Sequence, residues 1–170
     1  MFNYKIVLLG DFGTGKTSMI KRYVDNSFSE EYLSTIGVSI SNKSIDTSLN
    51  NKIYTSNTMI WDIEGKTDFK SILSHYLNGA KGFIIVVDLT RKNTINLIEE
   101  HLAFCEKTVP NLPICIALNK SDSQHDEIDL LNLKEFYPNI VLVIKTSAKD
   151  DNNIDELFKT LSEKIVEQLL

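Results

Sequence analysis

The chain has 170 residues, of which 42% are hydrophobic and 24% are charged, and its net charge is −5. This length and composition predict one domain, residues 1–170, with a single buried core, and the acidic balance argues against a nucleic-acid-binding protein. Apolar runs such as FIIVVDL are too short to cross a bilayer, and Cys105 and Cys115 have no disulfide or zinc spacing, which favours a reducing, cytoplasmic location.

Short apolar runs alternate along the chain with stretches of helical periodicity. The predicted strands cover residues 4–9, 39–47, 53–63, 82–88, 114–119 and 140–145, and the turn LNNK at residues 49–52 joins the second and third as an antiparallel hairpin. The predicted helices cover residues 16–25, 70–77, 95–107, 128–136 and 154–170. This alternation predicts an α/β fold, a mostly parallel six-stranded sheet with helices on both faces, in which ligands bind beyond the carboxyl ends of the strands.

The first predicted strand is followed by GDFGTGKT at residues 10–17, which fits the pattern G-x-x-x-x-G-K-[ST]. Glycines let backbone N–H groups surround an anion, and the helix that follows adds its positive N-terminal end. In such a loop Lys16 reaches the β- and γ-phosphates and the Thr17 hydroxyl binds Mg²⁺. A glycine-rich turn with a capping threonine is the weaker alternative, so the sequence predicts a phosphate loop.

Two further loops follow the fifth and sixth predicted strands. NKSD occupies residues 119–122, and its aspartate, Asp122, can accept two N–H bonds from guanine, a donor pair that adenine lacks. TSAK occupies residues 146–149, where the backbone of Ala148 and Lys149 can meet the carbonyl oxygen of the base. NKSD alone is equally well an ordinary turn. The prediction of a guanine pocket therefore depends on three loops that occur in order, each after an apolar run.

These loops, with STIGVSI at residues 34–40 and WDIEG at residues 61–65, resemble the Ras superfamily of small GTPases over nearly the whole chain, and EEYLSTIGVSI and YLNGAKGFIIVVDLT are most similar to its Rab branch. The resemblance implies a P-loop small G domain that binds GTP or GDP with Mg²⁺ and acts as a molecular switch in vesicle traffic. It implies nucleotide contacts by Phe12, Gly13, Thr14, Gly15, Lys16, Thr17, Ser18, Phe28, Asn119, Lys120, Asp122, Ser147, Ala148 and Lys149. It implies a Mg²⁺ site in which Thr17 and Thr35 are ligands and Asp62 holds the metal through water, and catalytic roles for Thr35, Gly65 and Lys66.

Lys66 occupies the position of the family's water-positioning glutamine. A glutamine amide both accepts from and donates to the attacking water, whereas a lysine ammonium has three donors and no acceptor. We expect slow or absent hydrolysis, with the charge of Lys66 stabilising bound GTP; the alternative is that Lys66 points into solvent. Phe12 replaces a small residue and should obstruct a partner's arginine finger, which supplies about 10³–10⁵ in rate, unless it packs against the second switch.

The resemblance further implies that effector and regulator proteins bind switch regions 27–40 and 62–78. Its partner-binding residues here are Ile36, Ile40, Trp61 and Tyr76. Ile40 stands where a phenylalanine is common, and Trp61 can equally be a half-buried strand residue. The C-terminal residues KIVEQLL carry no cysteine for prenylation, so we expect recruitment to membranes through partners, unless the native chain continues beyond residue 170 with a lipid anchor. We also expect a monomer. The three histidines lack ligand spacing and are expected at the surface or on helix flanks.

Three alternatives to a switch with impaired hydrolysis follow from the same residues. One is a competent, slow GTPase in which Lys66 or a partner residue replaces the glutamine. Another is an interaction module that uses nucleotide only structurally, although the intact Lys16, Thr17, Thr35, Asp62 and Asp122 argue against it. A P-loop kinase is the least favoured, because NKSD and TSAK have no role there.

Overall fold

A computed structural model describes residues 1–31, 33–65, 72–130 and 132–170. Its strands are β1 Phe2–Leu9, β2 Val38–Leu49, β3 Lys52–Ile63, β4 Ala80–Asp88, β5 Ile114–Asn119 and β6 Ile140–Lys145. Its helices are α1 Lys16–Asp25, α2 Ile72–Leu77, α3 Lys92–Asn96, α4 Ile98–Thr108, α5 Leu133–Phe136 and α6 Ile154–Leu169. Among the described helices, none is both long and apolar enough to span a bilayer.

The six strands form one sheet in the order β2-β3-β1-β4-β5-β6. Only the β2–β3 pair is antiparallel, and Asn50 and Asn51 join it with φ of 51° and 61°, as a two-residue type I′ hairpin requires. The other pairs are parallel. The prediction of a mostly parallel sheet with one hairpin is confirmed, and the loops that follow β1, β3, β5 and β6 therefore meet at one edge.

The core lies on both faces of the sheet because the central strands contain runs of consecutive buried apolar residues, such as residues 6–9 and 83–87. Along β1, Ile6 and Leu8 pack with α1 and α6, whereas Val7 and Leu9 pack on the opposite face with α2 and α4. Full burial of such a side chain stabilises the fold by about 1.5–3 kcal/mol. The prediction of helices on both faces is thus confirmed, and the two apolar layers hold the sheet edge rigid beneath its loops.

Two helix predictions need correction. Residues 128–130 are not helical, and only Leu133–Phe136 forms α5. Ile128 and Leu130 are half-buried on either side of the exposed Asp129, which is the period-two alternation of extended chain. The helix predicted at 95–107 is two helices, α3 and α4, separated at Leu97. The helix predicted at 70–77 agrees from residue 72, and its first two residues lie outside the described ranges.

His101 is also placed differently from the prediction of a surface or helix-flank position, since it is only 1% exposed. It shares the buried face of α4 with Ile98, Leu102 and Cys105. These positions follow the spacing i, i+3, i+4, i+7 of an amphipathic helix, which is the sequence signal that identifies the histidine as a core residue. Burial, with a smaller effect of the nearby Lys16 charge, lowers the pKa of His101 to about 4.

Candidate functional site

A cavity of about 310 Å³ opens at the carboxyl edge of the sheet. Its walls come from the phosphate loop, the start of α1, the segment between α1 and β2, and the loops after β3, β5 and β6. The predicted site residues that line it are Phe12, Gly13, Gly15, Lys16, Thr17, Ser18, Phe28, Thr35, Gly65, Asn119, Lys120, Asp122, Ala148 and Lys149. Thr14, Asp62 and Ser147 are buried next to these lining residues along the chain.

The phosphate loop requires glycine where it enters α1. Gly15 has a φ of 99°, a left-handed conformation, and a Cβ there would lie 2.3 Å from Asn119 Nδ2. Asn119 uses this close approach to donate from Nδ2 to the Thr14 carbonyl at 2.9 Å, and its Oδ1 accepts from the Thr146 hydroxyl at 3.2 Å. One amide side chain therefore joins the loops that follow β1, β5 and β6.

Lys16 begins α1 and is buried inside the loop that precedes it. Its Nζ donates to the carbonyls of Gly10 at 2.7 Å and Asp11 at 3.1 Å. Burial lowers the pKa of Lys16 to about 8, and the carboxylates of Asp62 and Asp11 partly oppose this shift. A buried ammonium beside a helix N-terminus is suited to bind an anion, which would compensate the lysine for its lost hydration.

Three oxygen-bearing side chains from separate elements converge beside the phosphate loop. The Thr17 hydroxyl lies 2.5 Å from Asp62 Oδ2 and 2.7 Å from the Thr35 hydroxyl, which is itself 3.3 Å from Asp62 Oδ2. Burial raises the pKa of Asp62, against the opposing effects of the Thr17 hydroxyl and Lys16. Its other oxygen, Oδ1, is buried and has no hydrogen-bond partner among the described residues. Hard oxygen donors with one spare carboxylate oxygen fit Mg²⁺.

The segments on either side of this oxygen cluster are bonded to each other. The Glu64 backbone N–H donates to the Gly37 carbonyl at 2.9 Å, and Glu64 Oε2 accepts from the Gly37 N–H at 3.0 Å. Gly65 lies directly against the phosphate loop, since a Cβ there would be 2.5 Å from the Phe12 backbone nitrogen. Lys66 lies outside the described residues, and so do residues 67–71 of the second switch, against which Phe12 would pack in the alternative interpretation.

At the opposite end of the cavity, hydrogen bonds orient the NKSD loop. Asp122 Oδ1 accepts from the Ser147 hydroxyl at 2.7 Å. The Lys120 ammonium lies 2.7 Å from Asp88 Oδ2. Burial alone would raise the pKa of Asp88, but its bonds from Lys120 and Thr90 outweigh that effect and hold it below its usual range. The side chains expected to recognise a base are thus held in place by other protein groups.

Two arginines at the site carry no motif and were missed by sequence reasoning. Arg22 Nε and Nη2 donate to the carbonyls of Ala148 and Lys149 at 2.8 and 2.9 Å. Arg91 Nη2 donates to the Phe12 carbonyl at 2.6 Å, and its Nε lies 3.0 Å from Asp88 Oδ2. Each arginine reaches a loop far from it in the chain and bonds backbone carbonyls there, so no local sequence pattern marks either contact.

The predicted partner-binding residues differ in exposure. Ile36 and Ile40 are 88% and 48% exposed, whereas Trp61 and Tyr76 are half-buried with ring centroids 6.3 Å apart. The Lys5 ammonium lies 3.5 Å from the Trp61 ring centroid, and its burial lowers the pKa of Lys5. The isoleucines therefore offer a free apolar surface, while part of Trp61 is already covered within the protein.

Comparison with known proteins agrees with this geometry. The Ras family model matches residues 5–167. The chain is 33% identical over 169 residues to GTP-binding protein ypt1 of Schizosaccharomyces pombe, covering 98% of this chain and 81% of that protein. It is 33% identical over 169 residues to Ras-related protein Rab-1A of Dictyostelium discoideum (98% and 82% covered), and 35% identical over 165 residues to Rab-11A of the same organism (95% and 75% covered). The chain therefore belongs to the Ras family, and within it to the Rab-like small GTPases.

Proposed function

We propose that this chain is a guanine-nucleotide switch of vesicle traffic that binds GTP and GDP with Mg²⁺, signals through effector proteins and hydrolyses GTP slowly. The observation that carries the proposal is the arrangement around one cavity of a phosphate loop, an oxygen cluster suited to Mg²⁺ and two loops with the donors and acceptors for guanine. In the Ras family these parts together bind a guanine nucleotide.

The binding roles follow from the two ends of the cavity. At one end residues 13–18 and the N-terminus of α1 would hold the phosphates, with Lys16 supplying a positive charge. Thr17, Thr35 and Asp62 would hold Mg²⁺, which supplies neutralisation of phosphate charge when bound. At the other end Phe28 would stack on guanine while the oriented carboxylate of Asp122 accepts its two N–H groups.

The switch function would depend on Thr35 and Gly65, which both line the cavity. Contacts with a γ-phosphate order such segments in GTPases and release them after hydrolysis. Ile36 is adjacent to Thr35 and highly exposed, so the position of Thr35 determines how Ile36 is presented to a partner. An apolar surface whose position depends on nucleotide is suited to effector recognition.

Slow hydrolysis is proposed from two substitutions at the phosphate end. Lys66 lacks the acceptor that would orient an attacking water, and intrinsic rates with the usual glutamine are already only about 10⁻⁴–10⁻³ s⁻¹. Phe12 lines the cavity where an arginine finger would enter. The bound nucleotide would thus remain GTP for longer than in relatives with a glutamine and a small residue at these positions.

Single-turnover hydrolysis of Mg²⁺–GTP by the native chain, Lys66→Gln and Lys66→Met tests this proposal. Methionine keeps the length of the side chain but has neither charge nor amide, so it separates loss of the ammonium from gain of the acceptor. We expect negligible native hydrolysis, a faster rate for Lys66→Gln and no gain for Lys66→Met.

Two results would contradict parts of the proposal. A native rate typical of the family, unchanged in Lys66→Gln, would show a competent GTPase in which another group positions the water. Failure of the native chain to bind GDP or GTP in the presence of Mg²⁺ would contradict the nucleotide switch itself, whereas tight binding with no hydrolysis by the native chain or by Lys66→Gln would favour the interaction module that uses nucleotide only structurally.

A further inference from the structure

Arg22 lies in the last turn of α1, and two adjacent donors of its side chain bond the loop after β6. Its Nε donates to the Ala148 carbonyl at 2.8 Å and its Nη2 to the Lys149 carbonyl at 2.9 Å. A guanidinium presents these donors in a rigid planar fork, so two successive carbonyls are held in one fixed relation. The contact therefore sets the orientation of the backbone between them and does more than neutralise a charge.

The orientation matters because a peptide group is planar. The carbonyl of Ala148 and the N–H of Lys149 belong to the same trans peptide and point in opposite directions. Ala148 and Lys149 line the cavity, whereas Arg22 does not. With the Ala148 carbonyl bound by Arg22, the planar trans peptide directs the N–H of Lys149 away from the arginine.

Arg22 also connects this loop with two neighbours at the base end. Its guanidinium carbon lies 5.9 Å from the centre of the Phe28 ring, which lines the same cavity. The Lys149 carbonyl that it binds shares a peptide with the Asp150 N–H, which donates to the Ser147 hydroxyl at 3.0 Å. That hydroxyl donates to Asp122. Arg22 thus has a direct effect on one peptide and a weaker, indirect one on Asp122.

We propose that Arg22 is a positioning residue for the base pocket, which holds the peptide between Ala148 and Lys149 so that its N–H donates to O6 of guanine. The proposal rests on the proposed nucleotide-binding function and adds a residue to it that no motif identifies. Its specific consequence is that Arg22 should affect binding of purines that carry O6 more than binding of purines that lack it.

Three nucleoside diphosphates separate this role from a general one. GDP carries O6, N1–H and the exocyclic amine; inosine diphosphate keeps O6 and lacks the amine; the 2-aminopurine nucleotide keeps the amine but lacks O6 and the N1–H. Dissociation constants would be measured with Mg²⁺ for the native chain, Arg22→Ala and Arg22→Lys. Phe28→Leu is the matched control, since stacking does not depend on O6.

We expect Arg22→Ala to weaken the binding of GDP and inosine diphosphate roughly tenfold, which is the usual value of one oriented hydrogen bond. Binding of the 2-aminopurine nucleotide should weaken by less than about threefold. Arg22→Lys should lie between Arg22→Ala and the native chain, because one ammonium cannot reproduce the fork. Phe28→Leu should weaken all three nucleotides alike.

Equal weakening of the three nucleotides by Arg22→Ala would overturn the inference, as would unchanged GDP binding. If Arg22→Ala does not fold, as judged by thermal unfolding, Arg22→Lys provides the same comparison, because its loss should also be confined to the nucleotides that carry O6. Failure of the native chain to bind GDP would be a different result, which contradicts the proposed function as a whole.

Discussion

The two ends of the cavity are built differently. At the phosphate end Lys16 and Asp62 are buried and Thr17 and Thr35 are half-buried, and the side chains of Thr17, Thr35 and Asp62 lie within 3.3 Å of one another. At the base end the recognising side chains are more exposed, and other residues orient them from behind, as Ser147 does for Asp122.

The two residues expected to slow hydrolysis also lie at one end. NKSD and TSAK at the base end resemble the family's motifs, whereas Phe12 and Lys66 are the departures predicted for the phosphate end. On the proposed function, nucleotide recognition and nucleotide hydrolysis depend on loops that follow different strands and can therefore change separately. The base end should therefore bind guanine normally even where the phosphate end hydrolyses GTP slowly.

The largest expected effect is a reversal of base preference in Asp122→Asn. An amide can donate to the 2-oxo group of xanthine but cannot accept two N–H bonds from guanine. The ratio of GDP to xanthosine diphosphate affinity should fall about 10²–10⁴-fold, the value of two bonds to a charged acceptor. Competition titration measures it, and an unchanged ratio would show that Asp122 does not face the base.

The next largest expected effect is a loss of folding stability at acid pH, caused by the buried His101. The pKa of His101 in the folded protein is about 4, below its ordinary value of 6.5. The folding stability that comes from keeping this histidine neutral is therefore fully present above pH 6.5 and is lost as the pH falls toward 4. The loss should reach about 3 kcal/mol. Chemical denaturation of GDP-bound protein from pH 7 to 4 should show a shallower decline in His101→Leu, whereas exposed His75→Asn should follow the native curve. Equal slopes in all three would contradict a neutral, buried His101.

A smaller expected effect concerns Arg91, which would orient a peptide of the phosphate loop as Arg22 orients one of the base loop. Arg91 holds the Phe12 carbonyl, whose peptide carries the Gly13 N–H. Arg91→Ala should weaken GDP roughly tenfold and leave GMP, which has no β-phosphate, unchanged. Parallel loss for GDP and GMP would instead show that the effect travels through Asp88 and Lys120 to the base end.

The smallest effect concerns the exposed ion pair of Glu30 and Lys149 at 3.0 Å, which joins the segment after α1 to the base loop. Exposed pairs contribute little and are screened by salt. Glu30→Gln should speed GDP release by less than about threefold at low ionic strength, and the difference should vanish at high salt. A larger, salt-resistant change would mean that this pair closes the base end of the cavity.

The sequence predicted the fold well where a single local pattern decides the structure. The apolar runs of the strands, the LNNK turn and the glycines of the phosphate loop each determine their conformation within a few residues. The prediction failed at Ile128 and Leu130. Their side chains can be buried in either a helical or an extended conformation, and tertiary packing selects the extended one. It also failed at His101, because a polar residue on an apolar helix face was treated as exposed.

The candidate site divides in the same way. Cavity-lining residues such as Lys16 and Asp122 belong to motifs whose spacing reflects a local loop geometry. Arg22, Arg91 and Glu64 act across 126, 79 and 27 residues of chain through single side chains bonded to backbone. Backbone atoms are the same in every residue, so such contacts leave no pattern in the sequence and become visible only when the fold is known.

The paired bonds between Glu64 and Gly37 have a consequence for how the protein would change conformation with the bound nucleotide. Since the N–H and carbonyl of Gly37 are both bonded to Glu64, neither segment can leave its position without releasing the other. The two segments should then open in a single cooperative step, without a stable half-open form. Binding of a partner that contacts only Ile36 would then depend on the nucleotide in the same all-or-none way as binding of a partner that contacts Gly65. Partners of quite different size could therefore distinguish the nucleotide states equally well.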